Sequence, residues 1–266
     1  MDMDTGTPKM IARKADGIGW MVFNQPEKRN AVSYDMWLAI PKIIGDFEAD
    51  PAVRVIVLTG AGEQAFVSGA DISEFEERRG TPDAIAVYNA AGDKAHGAIT
   101  HATKPTISMI KGVCVGGGMG IALTTDMRIC GDDSRFAVPA AKLGLGYGYR
   151  GIKNLADVVG PSFAKEIFFT GRLFSAEEAR TMGLVNRVVP KAELEKFVAD
   201  YAGIIAGNAP LTVKAAKMII NATAKDPDKR DHAAMDAAVE TCFNSEDYKE
   251  GRRAFMEKRK PLFQGR

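Results

Sequence analysis

Three consecutive glycines, Gly116-Gly117-Gly118, sit in the stretch VCVGGGMGIALTTD, between an apolar strand-like run at 105–110 and an apolar helix-forming run ending at Asp126. Glycine inside a helix costs about 1 kcal/mol relative to alanine. A junction that spends three of them is shaped by a close approach to its backbone. Two causes are open: a ligand that takes the first N–H groups of the helix, or a strand against which the helix packs. The phosphate-binding versions fail on spacing. There is no G-x-x-x-x-G-K-[ST] and no G-x-S-x-G elbow, and a G-x-G-x-x-G reading from Gly116 meets Ile121 at its sixth position.

Around this junction, strand-like and helix-like segments alternate. Residues 11–13 and 18–23 read as paired strands joined by Asp16-Gly17, a dipeptide suited to a hairpin turn. Ser33 is placed to cap a helix in which Met36, Ile40, Ile43, Ile44 and Phe47 recur at helical spacing. Residues 53–59 read as a buried strand, 66–71 as a loop, and a charged helical segment runs on to about Arg79. A second helix is expected at 84–100, a strand at 105–110, and short strands at 127–130 and 136–138. Strand, strand, helix thus recurs, which predicts an α/β fold with a sheet covered on at least one side. Beyond Gly151 helices dominate, at 152–159, 163–170, 176–182, 192–206, 211–222 and twice within 231–258, with 185–189 the one strand signal. The expectation is an α/β core over 1–195 and a C-terminal helical region over 196–266.

Charge and cysteine content exclude several function classes. The formal net charge of +1 gives no bulk attraction to nucleic acid or to an anionic membrane. No apolar run approaches the about 20 residues that span a bilayer, and the opening MDMDTGTP lacks the apolar stretch of a signal peptide. Cys114, Cys130 and Cys242 have no metal-ligand spacing and cannot all pair, which suits a reducing compartment. A cytoplasmic location is expected.

A second junction gives the glycines a partner. Phe66-Val-Ser-Gly-Ala-Asp-Ile72 also follows a buried strand and opens a helical segment. Two such junctions could present two N–H groups to one oxygen, the requirement of an oxyanion hole for a thioester carbonyl. At these residues the chain resembles the enoyl-CoA hydratase/isomerase (crotonase) superfamily. The resemblance is carried by PEKRNAVS, SGADISEF, KPTISMIKGVCVGGGMGIALTTD, FAVPAAKLGLGYG, FTGRLFSAEEARTMGLVNRVVP and EDYKEGRRAFMEKRKPLF, in the family's order and over nearly the whole chain.

That resemblance implies a spiral of repeated β-β-α units with a C-terminal helical, oligomer-forming region, in a homotrimer or a dimer of trimers. It implies an acyl-CoA substrate and no cofactor beyond the CoA moiety. By position, the amides of Ala70 and Gly117 would form the oxyanion hole. Lys28, Arg29, Ala31, Ser68, Asp71 and Ile72 would lie along CoA, and Lys258 would reach its phosphate, often across a subunit boundary.

The chain departs from the family where the hydratases carry two glutamates, one two residues after the glycine triplet and one after the proline of F-x-x-P-E. Here those positions are Gly120 and Ala140. One acid activates water and the other handles the α-carbon proton, and such groups contribute about 10²–10⁴-fold each. Tyr147, Tyr149 and Arg150, in GLGYGYRG, are candidates to enter the acyl pocket: a phenol can return a proton and an arginine can clamp a carboxylate. His96 and His101 are acid–base residue types in a helical, partly exposed context, where a structural role is the expectation. Asp126 is expected to anchor backbone. Tyr88, Glu74 and Glu77 could reach the acyl group, a solvated helix face being expected for the two glutamates.

Three readings follow. The first is an acyl-CoA enzyme that forms a thioester enolate without the usual acids: a decarboxylase of a malonyl-type thioester, a thioester hydrolase or another carbon–carbon lyase. The second is a hydratase or isomerase with relocated acid/base groups. The third is an acyl-CoA-binding protein without chemistry.

Overall fold

The alternation in the sequence closes into two sheets. The computed structural model describes residues 3–74, 78 and 80–266. Strands β1 (Met10–Ala15) and β2 (Ile18–Phe23) form the expected antiparallel hairpin. Its turn holds Asp16 and Gly17 at φ 52° and 80°, the paired positive φ that matches strand twist. Helix α1 (Tyr34–Ala49) follows. Three passes repeat the unit: β3 (Val55–Gly60), β4 (Ala65–Val67) and α2 (Pro82–Thr100); β5 (Thr106–Ile110), β6 (Val113–Val115) and α3 (Gly117–Ala122); β7 (Met127–Gly131), β8 (Arg135–Ala137) and α4 (Tyr149–Thr170). Then come β9 (Phe174–Ser175), α5 (Ala176–Thr181) and β10 (Arg187–Val189). In each of the three passes the first strand joins a sheet of order β1-β2-β3-β5-β7-β10 and the second a sheet of order β4-β6-β8-β9. This is the expected spiral of β-β-α units.

Three short strands were not legible in the sequence. Residues 66 and 67, the start of the expected loop, form β4 with Ala65 because all three are buried and the strand pairs with β6. β6 itself and the two-residue β9 are equally too short to show a period of two. The helices expected at 152–159 and 163–170 are the two halves of α4, separated by Gly160 at φ 76°, ψ 161°. Of the charged segment expected to Arg79, the structure describes a 3-10 turn at Ile72–Glu74 and Arg78. Glu77 lies outside the described residues.

Strand β3 is buried throughout and mostly apolar because both its faces are covered. Ile56 and Leu58 enter a core with Phe23, Phe47, Phe66 and Phe136. Val55 and Val57 face the other way, against Leu194, Val198 and Ala202 of α6 (Leu194–Ala206). The boundary expected after residue 195 therefore falls inside a helix that covers the large sheet. Helices α7 (Pro210–Thr223), α8 (His232–Phe243) and α9 (Glu246–Glu257) complete the chain. Asp126 anchors backbone as expected: it accepts from Thr106 N at 2.7 Å, and Lys217 of α7 lies 2.7 Å from the same carboxylate. Among the described residues, no helix is long and apolar enough to cross a membrane.

Candidate active site

Parallel neighbours end at the same edge of a sheet. Because β4 and β6 pair in parallel, their two strand-to-helix junctions emerge side by side. A methyl group built on Gly117 would stand 3.4 Å from the Ala70 nitrogen. Among the described residues, no internal acceptor takes the Ala70 or the Gly117 amide. Gly118 is different: its Cβ would lie 2.1 Å from the Val67 carbonyl oxygen. The two causes considered for the glycine run thus divide between its members. Gly118 is required for packing of α3 on β4, whereas Gly117 presents an open donor next to Ala70.

The two loops expected along CoA are fastened to each other. Ser68 N donates to Arg29 O at 3.1 Å, Val32 N to Gly69 O at 2.8 Å, and Asp71 N to Val32 O at 2.9 Å. Arg29 and Asn30 take positive φ, 51° and 56°. Asn30 holds that turn by donating to Ala61 O and Ala65 O and accepting from Gln25 N. Ala31 is buried beside it, and Lys28, Arg29 and Ile72 are exposed at the rim. Asp71 is the buried tie-point: it accepts from Lys28 Nζ at 2.8 Å, Gln25 Nε2 at 3.2 Å and Ser73 Oγ at 2.6 Å. Its carboxylate is engaged within the protein, so its place in the site is to shape the loops.

Burial alone would raise the Asp71 carboxyl, but the hydrogen bonds from Lys28, Ser73 and Gln25 outweigh it and hold the group well below the usual carboxylate range. A depressed folded-state value adds stability above the ordinary carboxylate pKa of about 3.9, and that stability is lost as pH falls into the acid range. Asp71→Asn is expected to cost about 2 kcal/mol at neutral pH, the scale of charge-assisted hydrogen bonds. The gap in melting temperature between variant and parent should begin to narrow below about pH 4 and shrink further as the pH falls. Thermal unfolding of both across pH checks this, and a gap that stays constant with pH would contradict it.

Gly120 lies one turn beyond Gly117 on the same face of α3. A methyl group there would stand 3.6 Å from Nε2 of His96, which comes from α2. That nitrogen is buried and, among the described residues, has no hydrogen-bond partner. Burial, reinforced by the charge of Arg150, pulls the imidazole down to about 4. The ring packs edge-on against Trp37 of α1, centroids 5.2 Å apart. Trp37 Nε1 in turn donates to the Tyr88 hydroxyl at 3.0 Å. Tyr88 is therefore part of the wall behind His96. The ring is partly exposed and packed on Trp37, as expected of a structural residue, while its Nε2 faces α3. Its proximity to Gly120 joins positions 24 residues apart and has no local sequence signal. His101 ends α2 on the surface, as expected of a structural residue.

The other candidates are dispersed. Tyr147 is half-buried with its ring edge-on to Phe168 at 5.1 Å, and burial raises its phenol. Tyr149 is 79% exposed at the start of α4, its ring in solvent in the single chain rather than packed over the junction. Arg150 is half-exposed, 3.8 Å from Asp93, and close enough for its charge to act on His96. Ala140 is buried at the turn after β8. Glu74 accepts from Tyr34 N at 2.7 Å at the start of α1 and lies 3.6 Å from Lys9, so its carboxylate serves that helix end. Lys258 closes α9 with φ 54° and is exposed.

A family model for enoyl-CoA hydratase/isomerase matches residues 13–266. The chain belongs to this family. It is 36% identical over 251 residues to the short-chain-enoyl-CoA hydratase of Clostridium acetobutylicum, a match covering 94% of this chain and 95% of that relative. It is 35% identical over 243 residues to the carnitinyl-CoA dehydratase of Escherichia coli O157:H7, covering 90% and 92%. The crystal structure of an enoyl-CoA hydratase/carnithine racemase from Magnetospirillum magneticum superposes with TM-score 0.93 at 33% identity, over 98% of this chain and 97% of that one. The fold is the crotonase fold, and the chain is an acyl-CoA enzyme of that superfamily.

Proposed function

We propose that this family member forms a thioester enolate by loss of CO₂ from a malonyl-type acyl-CoA. The reading rests on one contrast. The junctions that offer the Ala70 and Gly117 amides are side by side and uncommitted, while the two positions where hydratases carry glutamates are Gly120 and Ala140. Loss of CO₂ leaves its electron pair on the thioester, so the enolate arises without a base and needs only its oxyanion held. Arg150 would orient the departing carboxylate, a bidentate task suited to a guanidinium, and Tyr147 would wall the acyl pocket. Lys28, Arg29, Ala31, Ser68 and Ile72 would line the CoA path, with Asp71 setting the loop and Lys258 meeting the phosphates. An apolar groove of about 710 Å³, lined by Ile219, Val239, Phe243, Tyr248 and Phe255 among others, supports self-association through the C-terminal helices, in a trimer or a dimer of trimers.

The test is incubation with a panel of acyl-CoAs while following CO₂, free thiol and product mass. Malonyl-CoA and its alkyl-substituted homologues should lose CO₂ without releasing thiol. Failure of every carboxylated thioester to react would overturn this reading. A second reading, hydration, is favoured by the names of the hydratase and dehydratase relatives. Crotonyl-CoA hydration near the enzyme median of about 10 s⁻¹ would establish it instead. Binding of acyl-CoA without any turnover would leave a carrier or sensor of acyl-CoA.

A further inference from the structure

His96 is a partly exposed, proton-carrying side chain whose Nε2 is buried with no hydrogen-bond partner among the described residues, and it faces the helix that also carries Gly117. Gly117 and Gly120 are three residues apart on α3, about 4.5 Å along its axis. On this face, a methyl at Gly117 would meet Ala70 N at 3.4 Å and a methyl at Gly120 would meet His96 Nε2 at 3.6 Å. A thioester whose oxygen sits on the two amides would therefore direct its α- and β-carbons along α3 toward the imidazole. The absence of a side chain at Gly120 is what leaves that path open. Trp37 fixes the ring from behind, and the charged groups acting on it are Arg150 and Asp93.

We propose that His96 is a catalytic residue of this site and that its Nε2 delivers the proton to the α-carbon of the thioester enolate. This deepens the reading above and rests on it. In the decarboxylation step, the bond between the α-carbon and the carboxyl carbon breaks. CO₂ leaves, and the bonding pair stays as the enolate on the two amides. The α-carbon then takes from His96 the proton that the ring acquired from water when substrate bound, and the ring returns to its neutral form. Without substrate the ring is neutral, because it titrates near about 4. A bound carboxylate supplies the opposite charge that favours the protonated ring. The proton is thus taken up as substrate arrives and given up once CO₂ has gone.

The experiment separates this step from the reading beneath it by using two reactions. The first is decarboxylation of malonyl-CoA. The second is exchange of the α-protons of propionyl-CoA in D₂O, read by mass, which needs an enolate but no leaving group. His96→Gln should bind propionyl-CoA within about twofold of the parent by calorimetry. It should lose about 10²-fold or more in kcat and in exchange, the usual contribution of a proton-transfer group. His96→Ala should regain at least about tenfold when imidazole is added, which a packing role would not permit. Gly120→Val keeps the histidine but fills the path, and should lose exchange while its melting temperature holds.

Full exchange in His96→Gln, or in Gly120→Val, would overturn the inference and leave the enolate reading intact. His96-dependent exchange without decarboxylation would uphold the inference and remove the decarboxylase reading. A parent protein that neither exchanges propionyl-CoA nor decarboxylates malonyl-CoA would remove both.

Discussion

Gly118→Ala is expected to weaken acyl-CoA binding sharply and to destabilise the chain by about 3 kcal/mol or more. The added Cβ would lie 2.1 Å from the Val67 carbonyl oxygen and 2.8 Å from its carbon. The obstacle is main chain, so no rotamer change relieves it, and α3 must move off β4. Overpacking a core with side chains costs about 1–3 kcal/mol. A main-chain clash belongs at the top of that range or above it, because β4 is fixed by its ladder to β6. The same displacement pulls Gly117 away from Ala70, so any folded fraction should bind CoA thioesters weakly. Gly120→Ala is the matched control. Its Cβ has 3.6 Å of clearance, and alanine is favoured over glycine in a helix by about 1 kcal/mol. Its melting temperature should equal or exceed that of the parent. Thermal unfolding and calorimetric titration of the pair decide the matter. A Gly118→Ala variant with parental stability and affinity would show that the junction yields.

The contrast between these two glycines shows what the sequence could and could not reveal. The long elements were legible because their signals are local. The Asp16-Gly17 turn, the Met36 to Phe47 stripe and the apolar run of β3 each state a period or a breaker within a few residues. The three-residue strands β4 and β6 carry no such period, yet their pairing brings the two junctions together. That two such junctions could serve one oxygen is legible in the residues, but the assignment to Ala70 and Gly117 comes only from the family resemblance. Asp71 was singled out as a CoA contact, but its hydrogen bonds to Gln25, Lys28 and Ser73 make it a fastening between loops. These bonds join residues up to 46 apart. His96 shows the same difficulty from the other side. On α2 it borders the buried stripe of Tyr88, Ala91, Ala95 and Ile99, which in sequence is indistinguishable from packing. Its meaning comes from the missing side chain at Gly120, on another helix.

Restoring the two carboxylates should convert the site toward hydration. In Gly120→Glu/Ala140→Glu, crotonyl-CoA hydration is expected to rise at least about 10²-fold over the parent chain, since each positioned acid or base contributes about 10²–10⁴-fold. The positions differ in what they offer. A side chain rooted at Gly120 starts 3.6 Å from the His96 imidazole. Its carboxylate would hydrogen-bond to the ring, favour its protonated form and compete with it for the substrate. Ala140 is 5% exposed, so a glutamate there loses hydration, and its carboxyl is pushed upward toward a value useful for donating a proton. Each single variant should therefore fall short of the double: one would lack the group that delivers a proton, the other the group that positions water. Decarboxylation should fall in Gly120→Glu, because a second negative charge beside the departing carboxylate opposes substrate binding. Stopped-flow loss of the enoyl absorbance, set beside CO₂ release for the same four proteins, measures both effects. If the parent already hydrates crotonyl-CoA near about 10 s⁻¹, the added carboxylates have nothing to restore. His96 alone would then do the work of the acid absent from position 120.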